Sequence, residues 1–254
     1  MITRPFVIRL PLIAVTMLSM ALPAQAEDVK VFSSVAMRAV IDDIAQRFER
    51  DTKQHVAATF GLAAAMKGRI EAGEAYDIAI LTPPQIDDLI KQGKAAAASR
   101  AVIARTGLGL MVRAGAPKLD VGTVDAFKRT LTGAKSLTYV PAGASGVAFI
   151  ATAKQLGIAE TLQSKTKGAA SGDEVNANVT TGAAEIAVLP VSEILPVKGA
   201  ALGGVFPADV QTYIVMAGAT SNTASKAARD FLARLTSPAS DAVIAAKGME
   251  RVKP

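Results

Sequence analysis

Apolar and polar positions alternate along the chain in a strand–helix rhythm that begins near Val29. The run Val29 to Phe32 is rich in β-branched residues and predicts a short strand. The apolar residues that follow recur at the spacing of one helix face, and polar residues take the opposite face. These apolar residues are Met37, Val40, Ile41, Ile44, Ala45 and Phe48. The segment therefore predicts an amphipathic helix packed on a sheet.

The same order repeats before Gly93, which is placed to end a helix. Strands are predicted at 55–60 and 77–81, and helices at 63–72 and 84–92. An order of βαβαβα predicts a mainly parallel sheet that is covered by helices on both faces.

The run Ala101 to Val112 breaks this rhythm because it is long, apolar and interrupted by two glycines. Such a run predicts an extended segment that crosses between two lobes. A second α/β set follows, with strands predicted at 137–140 and 186–189, an extended run at 211–216, and helices at 124–131, 147–156, 174–180, 225–235 and 238–246. We predict a two-lobed α/β fold with a ligand cleft between residues 27–104 plus 214–254 (lobe 1) and residues 105–213 (lobe 2).

Residues 1–26 have the pattern of a cleavable signal peptide. Arg4 and Arg9 precede an apolar run from Leu10 to Leu22, and Ala24-Gln25-Ala26 supplies the cleavage site. The run is shorter than the ~20 residues that span a bilayer. The chain has no cysteine, which excludes a lipid anchor and disulfides. We expect a soluble periplasmic protein.

Composition excludes several classes of function. Loss of Arg4 and Arg9 lowers the formal net charge from +6 to +4, and the chain has no tryptophan and no long basic run. We therefore expect no nucleic-acid partner. A single histidine, His55, and no cysteine exclude the usual zinc sites and a Cys–His pair. We expect neither a metal nor a cofactor.

The candidate ligand-binding residues lie where predicted strands end, because ligands of open α/β sheets bind at the carboxyl ends of strands. Ser33 and Ser34 could hold an anion or only cap the next helix. The small residues of 141–146 (PAGASG) favour close approach of backbone N–H groups to an anion. The full candidate set is Ser33, Ser34, Arg38, Gly61, Ala63, Lys67, Thr82, Gly143, Ala144, Ser145, Pro190 and Ser192.

Charged side chains in and beside this set have alternative interpretations. Arg38 could overhang the first loop or be solvated, and Lys67 could reach the cleft or face solvent. The carboxylate of Glu193 would repel an anion unless it bonds a backbone amide, a basic residue or a ligand hydroxyl.

Three segments in order resemble the periplasmic molybdate-binding protein family: VKVFSS (29–34), VAATFG (56–61) and RIEAGEAYDIAIL (69–81). The IEAGxxxDI stretch at 70–78 is the most specific of these marks. The run AEIAVLPVSEILP (184–196) resembles a divergent branch that includes aconitate isomerase-like proteins. The resemblance implies the type II periplasmic-binding fold and a receptor for a small anionic solute. It also implies an inner-membrane ABC permease as partner, and we expect a monomer.

The resemblance also implies neutral donors for molybdate, and this sequence departs from them. The serine positions match Ala36 and 62–64 (LAA), and the tyrosine position falls near Pro190. Each charge-assisted bond contributes roughly 1.5–3 kcal/mol, so losing several weakens molybdate binding strongly. We therefore expect a di- or tricarboxylate, with Arg38 and Lys67 supplying charge.

The alternative function is a cofactor-free isomerase of an aconitate-like tricarboxylate. Such an enzyme would move a proton with a carboxylate or a phenol, and Glu193 and Tyr139 are the candidates.

Overall fold

The computed structural model describes residues 28–252, so the predicted signal peptide lies outside the described residues. Within that range the strands are β1 (Val29–Ser34), β2 (Val56–Gly61), β3 (Ile78–Leu81), β4 (Ala101–Arg113), β5 (Leu137–Tyr139), β6 (Thr166–Gly168), β7 (Ile186–Pro190), β8 (Ala200–Val205) and β9 (Tyr213–Thr220). The α-helices are α1 (Arg38–Thr52), α2 (Ala63–Glu71), α3 (Pro83–Lys91), α4 (Val124–Gly133), α5 (Ala144–Gln155), α6 (Ala159–Gln163), α7 (Gly172–Thr180), α8 (Val191–Ile194), α9 (Lys226–Thr236) and α10 (Asp241–Ala246). None of the helices in this range is long and apolar enough to cross a membrane.

The first three strands form the parallel set that the sequence predicts. Strand β1 pairs in parallel with β2 on one side and with β3 on the other. Helices α1, α2 and α3 connect or follow these strands, so the carboxyl ends of all three strands meet at one edge of the sheet. The residues that follow Ser34, Gly61 and Leu81 therefore lie close together.

Strand β4 connects the two halves of the sheet, as the sequence predicts for the long apolar run. Its first part, up to Gly107, pairs antiparallel with β9, and its second part, from Leu108, pairs antiparallel with β7 and β8. Where the partner changes, the Gln211 side chain bonds the backbone of Leu108, accepting from its N–H at 2.8 Å. The full order is β2-β1-β3-β9-β4-β7-β5-β6, with β8 also on β4. The lobe boundaries themselves stay a prediction.

Each half of the sheet has its own aromatic centre. The apolar face of α1 is buried as predicted, and Phe48 packs edge-on against Phe231 of α9 at 5.2 Å between ring centroids. In the other half Phe206 contacts Phe127 and Phe149, with centroid distances of 4.6 and 6.2 Å. These clusters make each half a firm support for the loops between them.

The sheet is mixed, with four parallel and four antiparallel pairings among the described strands, and the predicted α/β architecture with flanking helices is confirmed. Four short elements, β6, α6, α8 and β8, were not predicted. Helix α5 begins at Ala144, three residues before the predicted start, so residues of the small-residue loop form its first turn.

Candidate functional site

The ends of the strands enclose a small cavity between the two halves of the sheet, here called the inner cavity. Its volume is about 40 Å³, which is room for about three water molecules at roughly 10–15 Å³ each or for one small anionic group. The lining residues are Ser34, Val35, Ala36, Gly61, Leu62, Ala63, Thr82, Val140, Gly143, Ala144, Ser145, Gly172, Leu189, Pro190, Glu193 and Ile214.

Two helices point uncapped N-termini at the inner cavity from opposite halves of the sheet. Helix α2 begins after Leu62 and helix α5 after Gly143, and neither of these residues caps its helix with a side chain. The N–H groups of both first turns are left without intrahelical partners, and both helix dipoles present partial positive charge. This arrangement favours an anion in the cavity.

Close packing at the start of α5 requires a glycine. A β-carbon on Gly146 would lie 1.9 Å from the carbonyl oxygen of Val140. The absence of a side chain lets the first turn of α5 approach the end of β5. The small-residue loop 141–146 therefore has a packing role as well as a place at the cavity.

The hydroxyl groups at the cavity are those of Ser34, Thr82 and Ser145. The Ser34 oxygen accepts the Ala36 N–H at 3.4 Å, and the Thr82 hydroxyl donates to the Gln85 side chain at 2.8 Å. Ser145 is buried in the first turn of α5. The hydroxyls of Ser34 and Thr82 therefore already make hydrogen bonds with neighbouring residues.

Three predicted residues line neither the inner cavity nor the larger space that adjoins it. Ser33 is fully buried, and its hydroxyl donates to the carbonyl of Ser34 at 3.0 Å. Successive strand residues point to opposite faces, so only Ser34 of the pair faces the cavity. Lys67 pairs with Glu71 at 2.5 Å and with Asp88 at 2.6 Å.

Tyr139 is the third of these residues. Its ring packs edge-on against Phe149 at 5.1 Å between centroids, and it lines a separate groove beside α5 and α6. Burial raises the pKa of Tyr139. The structure therefore brings Glu193, and not Tyr139, to the cavity.

A larger space, here called the outer chamber, adjoins the inner cavity and has a volume of about 500 Å³. It lies between α1, α7 and α8, and Val35, Gly172 and Glu193 line both spaces. The remaining residues of its lining are Arg38, Ala39, Asp42, Asp43, Gln46, Asp173, Asn176, Ser192, Pro196, Val197 and Lys247.

Arg38 is the basic side chain best placed for a ligand. Its guanidinium carbon lies 4.8 Å from the centroid of the Phe60 ring. Among residues 28–252 no carboxylate lies within 4.0 Å of it to form an ion pair. The stacked guanidinium therefore keeps its hydrogen-bond donors available to the outer chamber.

Glu193 lies between the inner cavity and the outer chamber, in the first turn of α8. Burial raises the pKa of Glu193 to about 7, while the charge of Arg38 lowers it and the charge of Asp173 raises it further. Near neutral pH the carboxyl group is therefore divided between its neutral and charged forms. This group can exchange a proton with a ligand in either space.

The neighbouring Ser192 is buried with a relative exposure of 3%. Its N–H donates to the Thr106 hydroxyl oxygen at 3.3 Å. Its own hydroxyl oxygen, which is buried at the outer chamber, has no hydrogen-bond partner among the described residues.

Sequence reasoning missed three apolar residues of the lining, Val35, Val140 and Ile214. Val140 ends a predicted strand, so its position was available, but apolar side chains give no chemical signal. Gly172 was also missed, because its role depends on the contact between α7 and Glu193. Among residues 28–252 no cluster of three or more His, Cys, Asp or Glu side chains could hold a metal ion.

Residues 29–250 match the sequence profile described as bacterial extracellular solute-binding protein. The chain belongs to this family. Aconitate isomerase from Pseudomonas sp is 28% identical over 257 residues, covering 96% of this chain and 97% of that protein. The molybdate-binding protein ModA of Azotobacter vinelandii is 30% identical over 229 residues, covering 84% of this chain and 87% of ModA.

The fold agrees with these relatives. The solved structure of the Azotobacter vinelandii periplasmic molybdate-binding protein superposes with a TM-score of 0.74 at 20% identity, covering 89% of this chain and all of that chain. The predicted periplasmic-binding fold and the resemblance to molybdate-binding and aconitate isomerase-like proteins are confirmed.

Proposed function

We propose that this chain is a periplasmic receptor that binds a small organic carboxylate in the inner cavity and delivers it to an inner-membrane ABC permease. The observation that carries the proposal is the pair of uncapped helix N-termini, of α2 and α5, on opposite sides of one small cavity. An anion there receives N–H groups from both halves of the sheet. Binding therefore favours closure of the halves over the solute.

Several lining residues argue against a bare tetrahedral oxyanion as the ligand. Ala36, Leu62, Ala63 and Pro190 line the inner cavity and provide no hydroxyl group. An oxyanion that loses its water needs a donor at most of its oxygens, and each charge-assisted bond contributes about 1.5–3 kcal/mol. A carboxylate has only two oxygens to satisfy, so the backbone donors present suit it better.

A thermal-shift screen of the mature protein tests the proposal. The ligands are molybdate, tungstate, sulfate, phosphate, citrate, both aconitates and the monocarboxylates acetate and 4-hydroxybutyrate. A ligand present at 100 times its Kd stabilises the native state by about 2.7 kcal/mol, so the true ligand class raises Tm clearly. We expect a carboxylate to give the larger shift. A dominant molybdate shift at low concentration would contradict the choice of carboxylate.

A second candidate function is isomerisation of an aconitate-like tricarboxylate, and the position of Glu193 favours it. A general acid–base group works best when its pKa lies near the operating pH, and burial raises the pKa of Glu193 to about 7. In this reaction Glu193 would take a proton from the methylene carbon of cis-aconitate and return it at the other end of the allylic system. The double bond shifts, and no oxidant or cofactor is consumed.

NMR of cis-aconitate with the protein in D₂O tests this reaction. We expect trans-aconitate to appear in wild-type samples and not in Glu193→Gln samples. Binding of cis-aconitate without product at high protein concentration would leave the receptor function standing and rule out the isomerase.

A further inference from the structure

We propose that the outer chamber is a second compartment of the ligand site, which takes a hydrogen-bond-donating end of the solute while the inner cavity takes its carboxylate. The donating end is an ammonium or a hydroxyl group. This inference rests on the proposed function, because it assumes that a carboxylate occupies the inner cavity.

The two spaces are continuous, and their sizes differ greatly. Val35, Gly172 and Glu193 line both of them. The inner cavity has about 40 Å³ and the outer chamber about 500 Å³. An organic acid larger than its carboxylate group therefore has to extend past Glu193 into the outer chamber.

Two buried polar atoms of the outer chamber lack partners within residues 28–252. They are the hydroxyl oxygen of Ser192 and Oδ1 of Asn176. Ser192 is 3% exposed, so water has little access to it from outside the chamber. Both atoms accept hydrogen bonds, and leaving such atoms unpaired is unfavourable. An ammonium group, with three N–H donors, has enough donors for both atoms, whereas a hydroxyl group, with one O–H donor, has enough for one of them.

The charges around the outer chamber favour a donor over a second carboxylate. Asp43 is already held by Arg47 at 2.8 Å and by Lys247 at 3.3 Å. The lining as a whole carries four carboxyl groups, those of Asp42, Asp43, Asp173 and Glu193, against two basic groups, those of Arg38 and Lys247.

Acidic groups therefore outnumber free basic groups in the outer chamber. A second carboxylate entering it would be repelled, whereas an ammonium group would be attracted and a hydroxyl group accepted. Asp42 is the acceptor nearest to Arg38 in sequence, one helical turn along α1, and the two side chains line the same side of the chamber.

A series of acids that share the butyrate chain and differ in the substituent on carbon 4 tests the inference by calorimetry at pH 7. The probes are butyrate, 4-hydroxybutyrate, 4-aminobutyrate and glutarate, which end in methyl, hydroxyl, ammonium and carboxylate groups. We expect 4-aminobutyrate and 4-hydroxybutyrate to bind at least tenfold more tightly than butyrate and glutarate. Glutarate as the tightest ligand, or equal affinity across the series, would overturn the inference.

Substitutions in the chamber lining test whether the chamber itself sets the preference among these acids. Asp42→Asn and Ser192→Ala should each reduce the preference for the donor-ended acids over butyrate at least fivefold. Asp51→Asn, at the other end of α1, is the matched control and should leave that preference as it is in the wild type. Unchanged preference in both chamber variants contradicts the inference, whereas failure of all carboxylates, acetate included, contradicts the proposed function itself.

Discussion

Oε2 of Glu193 lies against the backbone of Gly172, so close that a β-carbon on Gly172 would be 3.3 Å from it. This contact joins the start of α8 to the start of α7 at the boundary between the inner cavity and the outer chamber. The carboxyl group is thereby held where it meets any solute that passes from one space to the other.

The first prediction concerns pH and stability. The pKa of Glu193 is raised from 4.5 to about 7 in the native state, so between these values the native state binds more protons than the unfolded state. The free energy of unfolding should therefore fall as pH rises from about 4.5 to about 7 through this group. Thermal melts of Glu193→Gln should lack this part of the decline. Glu160→Gln, exposed on α6, is the control and should melt like the wild type at every pH.

The second prediction concerns pH and binding. A charged Glu193 repels a carboxylate in the inner cavity, and a neutral one does not. Affinity should be highest below pH 7 and fall by up to about tenfold per pH unit above it. Calorimetry across pH 5.5–8.5 measures the slope. A slope that persists in Glu193→Gln would assign the titration to another group.

The third prediction compares two basic residues that both seemed able to reach the ligand. Arg38 lines the outer chamber, whereas Lys67 is paired with Glu71 and Asp88. At pH 5.5, where Glu193 is neutral in both proteins, Arg38→Ala should weaken carboxylate binding about tenfold or more, because a positive charge near the anion is lost. It should also raise the pKa of Glu193, because the charge of Arg38 lowers that pKa. Lys67→Ala should leave affinity unchanged. Equal effects of the two substitutions would argue against a direct role for Arg38.

The fourth prediction restores a missing hydroxyl group. Ala63 lines the inner cavity at the first position of α2. Ala63→Ser should improve molybdate binding by about tenfold, since one charge-assisted bond contributes roughly 1.5–3 kcal/mol before its costs. Ala65→Ser lies on the same helix outside the lining and is the control. Equal gains in both variants would mean that the serine acts without contacting the ligand.

The fifth prediction concerns the packing of α5. A β-carbon on Gly146 would collide with the Val140 carbonyl oxygen, so Gly146→Ala should destabilise the protein by about 2 kcal/mol or more. Gly68 lies inside α2 with nothing within 4 Å of an added β-carbon. Gly68→Ala should instead stabilise by roughly 0.5–1 kcal/mol. Chemical denaturation measures both, and a neutral Gly146→Ala would show that the start of α5 can move.

The sequence predicts the elements that bury a regular apolar pattern. Helix α1 and strand β4 were located because their apolar residues are regular and numerous. Strand β8 (AALGGV) was missed because its residues are small. It fits there because β-carbons on Gly203 and Gly204 would meet the side chains of Leu119 and Val121. Such a fit depends on a distant loop, which local patterns do not contain.

The candidate site likewise has some residues that local sequence patterns locate and others that depend on distant contacts. The structure places Ser34, Gly61 and residues 143–145 at the inner cavity, where predicted strands end, and their contact with a ligand stays a prediction. Whether Ser33 or Ser34 faces the cavity depends on which face of β1 meets it. Lys67 is drawn into an ion pair with Asp88, which lies on another helix. The outer chamber arises from contacts among α1, α7 and α8, so no single segment of sequence could indicate it.

The position of β9 has a consequence for how the chain acquires its structure. Thr220 pairs with Ile78, and β9 lies between β3 and β4. A chain that emerges from its amino end first leaves β3 with an open edge until residues 213–220 arrive, and open edges invite aggregation. Long-range pairing of this kind slows folding. The first half of the sheet is therefore completed only when about the last sixth of the chain, from residue 213 onward, is available.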